Sequence, residues 1–166
     1  MRFQRARDQA FMDFMNGNKK TPHFIAFFLD NELKRGFKQI TEVEQGKKLD
    51  SVVRLFCCLH GRDVFIAQYS NLLAQRLLDK TTLSDWAEEQ MVNKLTIECG
   101  NNTVNKIKTM FEDMIKSKNL NNDFKTSRGN SIVDGVEFSV EVLTSGHWPY
   151  QDIPKCKIPP IMGKIQ

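Results

Sequence analysis

The sequence predicts a mainly α fold, an antiparallel helical bundle with a small C-terminal β appendage, on three observations. Residues 61–80, GRDVFIAQYSNLLAQRLLDK, form the longest run of unbroken helical periodicity. Phe65, Ile66, Tyr69, Leu72, Leu73 and Leu77 lie one, three or four positions apart and share one helix face. Further stretches with the same period are separated by Gly, Asn and Pro. The period switches to two only once, near the C-terminal end.

In chain order, residues 1–15 carry Phe3, Ala6, Ala10, Phe11 and Phe14 at helical steps and meet the breakers Asn16, Gly17 and Asn18. Thr21 as N-cap and Pro22 at the first helical position open a second helix. Its stripe is Phe24, Ile25, Phe28, Leu29 and Leu33, and Gly36 closes it. Residues 36–46 read as a connection. Leu49, Val52, Val53 and Phe56 mark a third helix ending near His60 and Gly61. The fourth helix, 61–80, sets Arg62, Gln68, Asn71, Gln75 and Asp79 opposite its core face, so it is amphipathic.

Ser84 caps a fifth helix lined by Ala87, Met91, Val92, Leu95 and Cys99 and closed by Gly100. Asp85, Glu88 and Glu89 fall in its first turns, where the helix dipole favours them, and read as a solvated acidic start. Asn101, Asn102 and Thr103 cap a sixth helix with Val104, Ile107, Phe111 and Met114 inward. It ends near Asn119, and the short connection predicts that the fifth and sixth helices are antiparallel. Over residues 136–143, Val136, Phe138, Val140 and Val142 alternate with Glu137, Ser139 and Glu141. That is the period of a half-buried strand, and its partly covered edge is expected to stay open. Thr144, Ser145 and Gly146 end it before Trp148 and Pro149.

The chain's 166 residues, 40% of them hydrophobic, can enclose a real core. Phe65, Tyr69, Leu72, Leu73, Leu77, Leu95 and Phe111 are the residues assigned to it, and Met91, Met110 and Met114 read as filler. A net charge of +4 spread over 24 basic and 20 acidic residues gives a mixed surface and only weakly suggests nucleic acid. The best basic run, Lys106, Lys108, Lys116 and Lys118, is interrupted by Glu112 and Asp113. Cys57, Cys58, Cys99 and Cys156 have no CxxC spacing and no histidine to complete a zinc set, so they read as reduced thiols. His23, His60 and His147 lie on separate elements and complete no triad. No catalytic, cofactor-binding or metal residue is expected. The start of the chain lacks the apolar region of a signal peptide and no run approaches a membrane span, so a soluble, non-secreted chain is expected.

Four stretches, DVFIAQYSNLLAQRLL, EEQMVNKLTIECG, KIKTMFEDMIKSK and FSVEVLTSGHWP, resemble in order and spacing the cullin homology region of cullins, the scaffold subunits of RING ubiquitin ligases. The resemblance runs across residues 49–166. It implies a helical segment ending a cullin repeat over 1–46, a four-helix bundle over 47–128, and the start of an α/β subdomain over 129–166. It also implies a non-catalytic scaffold without cofactor, cytoplasmic and nuclear, working with a RING-box protein and a ubiquitin-conjugating enzyme. A substrate-receptor adaptor would bind through N-terminal repeats outside this chain. Members of the family carry basic residues along the organising helix. Arg76 matches that pattern, whereas Ser70, Asn71 and Gln75 stand where lysines are common. By the same resemblance Arg76, Val140, Val142 and Trp148 are the residues expected near partners, with Trp148 also a structural anchor. A basic helical nucleic-acid-binding module is the rival reading.

Overall fold

α4 (Arg62–Asp79) takes the centre because its apolar stripe is matched by the stripes of three neighbours. A computed structural model of the chain describes residues 2–126 and 139–150. Around α4 lie α1 (Arg2–Asn16), α2 (Thr21–Asn31), α3 (Glu42–Cys57), α5 (Asp85–Cys99) and α6 (Asn101–Phe124). α2 runs along α4, α3 packs on α5 and touches α2 and α4, and α6 packs on both α5 and α4. Phe65, Tyr69, Leu72, Leu73 and Leu95 are buried, while Leu77 and Phe111 are half-buried against the same core. The Phe65 ring lies tilted against Phe56 at 5.0 Å and parallel to Tyr69 at 6.1 Å between centroids. Residue 46 falls inside α3, so residues on either side of it share one core.

Helix ends follow local chemistry. Ser84 Oγ accepts from Ala87 N–H at 3.2 Å to open α5. Gly100, at φ +80°, ends α5 and starts α6 without a loop, a backbone turn that glycine adopts without strain. At α2, Lys20 rather than Thr21 holds the cap position and lends no side chain to it. α3 begins at Glu42, well before the first expected apolar position. A capping box fixes it there: Glu44 N–H donates to Thr41 Oγ1 at 3.3 Å, and Thr41 N–H donates to the Glu44 carboxylate at 3.0 Å. Between α2 and α3 the chain widens into a π-helical turn, Glu32–Gly36. The turn leaves Leu33 C=O free to accept Leu83 N–H from the α4–α5 loop at 3.3 Å.

Two expectations are corrected here, for α6 and for the β appendage, and α1 adds a finding of its own. α6 does not stop near Asn119 but runs to Phe124, since its later turns have something to hold. α1 is helical, yet of its apolar residues only Met15 is buried, and Phe3, Phe11 and Phe14 face outward. Its stripe has the spacing of a core face, but no described element covers it. The β appendage is not found among the described residues. Residues 136–138 lie outside them, and 139–144 run without a strand partner, bonded instead to side chains of α6.

Candidate functional site

Arg76 is the first functional side chain to place, and it is fully buried. Position 76 continues the core stripe of α4, three and four residues after Leu73 and Leu72, so helical geometry drives the guanidinium inward. There Nη1 donates to Asp30 of α2 at 2.5 Å, while Nε and Nη2 straddle the Glu88 carboxylate of α5 at 2.6 and 3.0 Å. The Tyr69 hydroxyl donates to Glu88 at 3.3 Å, and Lys34 adds a second cation on Asp30 at 3.0 Å. One fork thus ties three helices. Burial alone would weaken the charge on Arg76, but the hydrogen bonds and field of Glu88 outweigh it and hold the group protonated. Burial, reinforced by Glu88, raises Tyr69 well above its ordinary value. Arg76 therefore cannot line a basic surface channel, and Glu88 is not a solvated first-turn residue but a fully buried one.

A second polar array lies along α6. Asp113, Ser117 and Asn121 project at four-residue steps and hold residues 140, 142 and 144 at two-residue steps. Asn121 accepts from Val140 N–H at 2.9 Å and donates to Val140 C=O at 2.8 Å. Ser117 Oγ accepts from Val142 N–H at 2.8 Å. The Asp113 carboxylate accepts from Thr144 N–H at 2.7 Å, Thr144 Oγ1 at 2.8 Å and Trp148 Nε1–H at 2.9 Å. Val140 and Val142 turn their side chains to solvent, whereas Leu143 packs on the core and Glu141 pairs with Lys80 at 3.3 Å. The inward face of this strap is thus the odd-numbered one, the reverse of the alternation read from sequence. No hydrogen bond among the described residues holds the backbone of Glu141 or Leu143.

Trp148, 6% exposed, is buried beside α6, an anchor for the strap rather than a free contact residue. Burial works to raise the pKa of Asp113, but the donors from Thr144 and Trp148 and the field of Lys116 bring it below the ordinary carboxylate range. A depressed folded-state pKa means that the strap's grip is complete above the ordinary range and is lost as pH falls through the lowered value. Asp113→Ala should free Trp148 Nε1 and the Thr144 N–H together. In a Trp86→Phe background, the expected result is a red-shifted Trp148 emission at neutral pH and loss of the acid-dependent shift. An unchanged spectrum would refute the clamp.

Beside the strap an open groove of about 590 Å³ lies between α4, α6 and residues 145–150, lined by Ile66, Ser70, Asn71, Lys106, Ile107 and Trp148 among others. Its ionisable lining residues are Asp63, Lys106, His147 and Tyr150, set among polar groups and apolar carbon. Of the basic run on α6, Lys108 is bonded to Asn101 at 2.8 Å and Lys116 pairs with Glu112 at 3.8 Å. Burial and a hydrogen bond to Glu98 push the Cys57 thiol up to about 11, so it is a poor nucleophile. Among the described residues no group of three or more His, Cys, Asp and Glu could hold a metal ion, and no helix is long and apolar enough to cross a membrane.

Comparison with known proteins bears on this arrangement directly. A family model described as the cullin alpha solenoid domain matches residues 1–121. Cullin-3A of Arabidopsis thaliana is 40% identical over 157 residues, covering 95% of this chain and 21% of the relative. Cullin-3 of Dictyostelium discoideum is 40% identical over 152 residues, 91% of this chain and 20% of the relative. Cullin-4A of Mus musculus is 36% identical over 167 residues, 99% of this chain and 22% of the relative. The chain spans about a fifth of the length of these relatives. With a helical bundle at its core and the family match running unbroken through α1–α5 and nearly all of α6, the chain belongs to the cullin family.

Proposed function

We propose that the chain is a non-catalytic scaffold segment of a cullin–RING ubiquitin ligase. In this reading it helps hold a RING-box protein and a ubiquitin-conjugating enzyme at a fixed distance from the substrate receptor, in the cytoplasm and nucleus, in ubiquitin-dependent degradation. The adaptor is held by repeats outside this chain. The observation that carries the reading is the Arg76 fork. A scaffold needs helices that do not slide on one another, and one buried guanidinium bonded to both α2 and α5 resists such sliding directly. The strap supports the partner side. Among the described residues nothing bonds its backbone at Glu141 and Leu143, so a strand of a RING-box protein could add there.

The test is a calorimetric titration of the chain with a RING-box protein, comparing Glu141→Ala with Glu141→Pro. Proline removes the one N–H at this position and leaves the Val140 and Val142 bonds in place. Binding that survives Glu141→Ala and fails with Glu141→Pro is the expected result. Binding indifferent to proline would exclude strand addition at this edge, and ubiquitin conjugates formed by the chain without an added ligase would exclude the scaffold reading.

A further inference from the structure

Lys80 closes α4 in a conformation that lysine rarely adopts. Its φ and ψ are +53° and +41°, the left-handed region, where a Cβ crowds the following carbonyl oxygen and glycine is the usual occupant of a helix end. Elsewhere a positive φ falls to glycine, at Gly100 (+80°) and Gly146 (+77°). Among the described residues, Gln39 and Lys80 alone combine a side chain with a positive φ. The hydrogen bonds of the turn have no need of that side chain, for the backbone N–H groups of Lys80 and Thr81 both donate to Arg76 C=O. A lysine kept where glycine would relieve strain points to a use for its ammonium.

That ammonium reaches the strap, pairing with the Glu141 carboxylate at 3.3 Å. The other holds on this stretch all come from α6, through the N–H groups of Val140, Val142 and Thr144. Bonds along one edge of an extended chain act as a hinge: they fix its register and leave it free to rotate about that edge. Side chains of odd-numbered residues leave the chain on the adjoining face. A hold on Glu141 therefore stops the rotation that the α6 bonds permit. With it in place Leu143 packs on the core while Val140 and Val142 turn outward. The Glu141 side chain is 24% exposed and that of Lys80 69%, so the pair is partly screened, weak and sensitive to salt.

We propose that Lys80 is a positioning residue that latches the strap to α4 through Glu141 and stops its rotation about the α6 hinge, and that α4 keeps a strained left-handed end for the sake of this latch. Amide exchange of the full chain reads the latch at Val142, the bonded neighbour of Glu141. Lys80→Asn removes the ammonium and keeps a residue that tolerates the left-handed turn. Exchange at Val142 should rise about two- to fivefold, with a thermal midpoint no lower than the parent's. Glu141→Gln should accelerate Val142 equally, and the double variant should go no further than either single one. In about 1 M salt, where charges are screened beyond about 3 Å, the parent and Lys80→Asn should exchange alike. The Trp148 indole N–H, held separately by Asp113, should keep the parent rate throughout. Exchange at Val142 that Lys80→Asn does not change overturns the proposal, as do additive effects in the double variant or a difference that persists in 1 M salt. An equal acceleration at Trp148, or a lowered midpoint, would also overturn it, by showing a general loosening in place of a local latch.

Discussion

Arg76→Met should lower the stability of the chain by about 3–5 kcal/mol, the usual cost of stranding the partners of a buried charge. For a domain of this size that is a drop of roughly 10 °C in the thermal midpoint read by circular dichroism. The size of the effect comes from what remains. Glu88 keeps only the weak donors Tyr69 and Thr82, at 3.3 Å each, and stays fully buried. Asp30 still has Lys34, so most of the penalty falls on Glu88. Arg76→Lys keeps the charge but lacks the planar fork that spans two carboxylates, and should lie between the wild type and Met. The double variant Arg76→Met, Glu88→Leu should recover much of the loss, because an apolar replacement of a buried pair is often neutral or better. A midpoint for Arg76→Met within two degrees or so of the parent would show that the cluster does not tie the helices.

Leu73→Asp should unfold the chain outright. Leu73 is fully buried at the centre of the α4 stripe, among the core residues supplied by its neighbours. Removing a buried leucine costs about 2–5 kcal/mol, and a carboxylate placed there finds no designated cation, which costs several more. Together these approach the whole stability of an ordinary domain, about 5–15 kcal/mol. Gln75→Asp, two residues along on the exposed side of the same helix, should change stability by no more than about 0.5 kcal/mol. A Leu73→Asp chain with native far-ultraviolet dichroism and a cooperative melt near the parent's would remove α4 from its central place.

The α4 stripe was legible because every apolar position in it obeys one period and nothing interrupts it. The Ser84 cap and the Gly100 break were legible for the same local reason. The cluster of Asp30, Arg76 and Glu88 is not legible in the sequence, although part of its signal is there. Each sits three or four residues from core positions on its own helix, so periodicity alone marks all three as inward-facing. What periodicity does not contain is that the three inward charges meet, since that depends on how separate helices pack. The capping box at Thr41 and Glu44 is spelled out in the sequence but stands well ahead of the first apolar stripe position, Leu49, so the stripe alone places the start of α3 too late. The strap was half legible. Its two-residue period is real, but a period of two does not say whether the partner is another strand or a row of side chains on a helix. α1 is the reverse case, a correct core pattern with nothing described on top of it.

The strap and α6 together make a vernier. Four residues of helix rise about 6.0 Å, whereas two residues of extended chain advance about 6.6 Å. Each successive rung therefore falls out of step by about 0.6 Å, close to 1.2 Å over the span from Asn121 to Asp113. A hydrogen bond's length varies by only about 0.5 Å, so side-chain reach takes up the remainder, and the three rungs stay at 2.9, 2.8 and 2.7 Å. The looser contact from Ser117 Oγ to Val142 C=O, at 3.5 Å, sits on the middle mark. A helix that grips an extended chain in this way measures it: about five residues can be held in register before the chain must turn, and after Thr144 it does turn, bringing Trp148 back against Asp113. Inserting one residue between Val140 and Val142 would shift the count and carry Thr144 about 3.3 Å past Asp113.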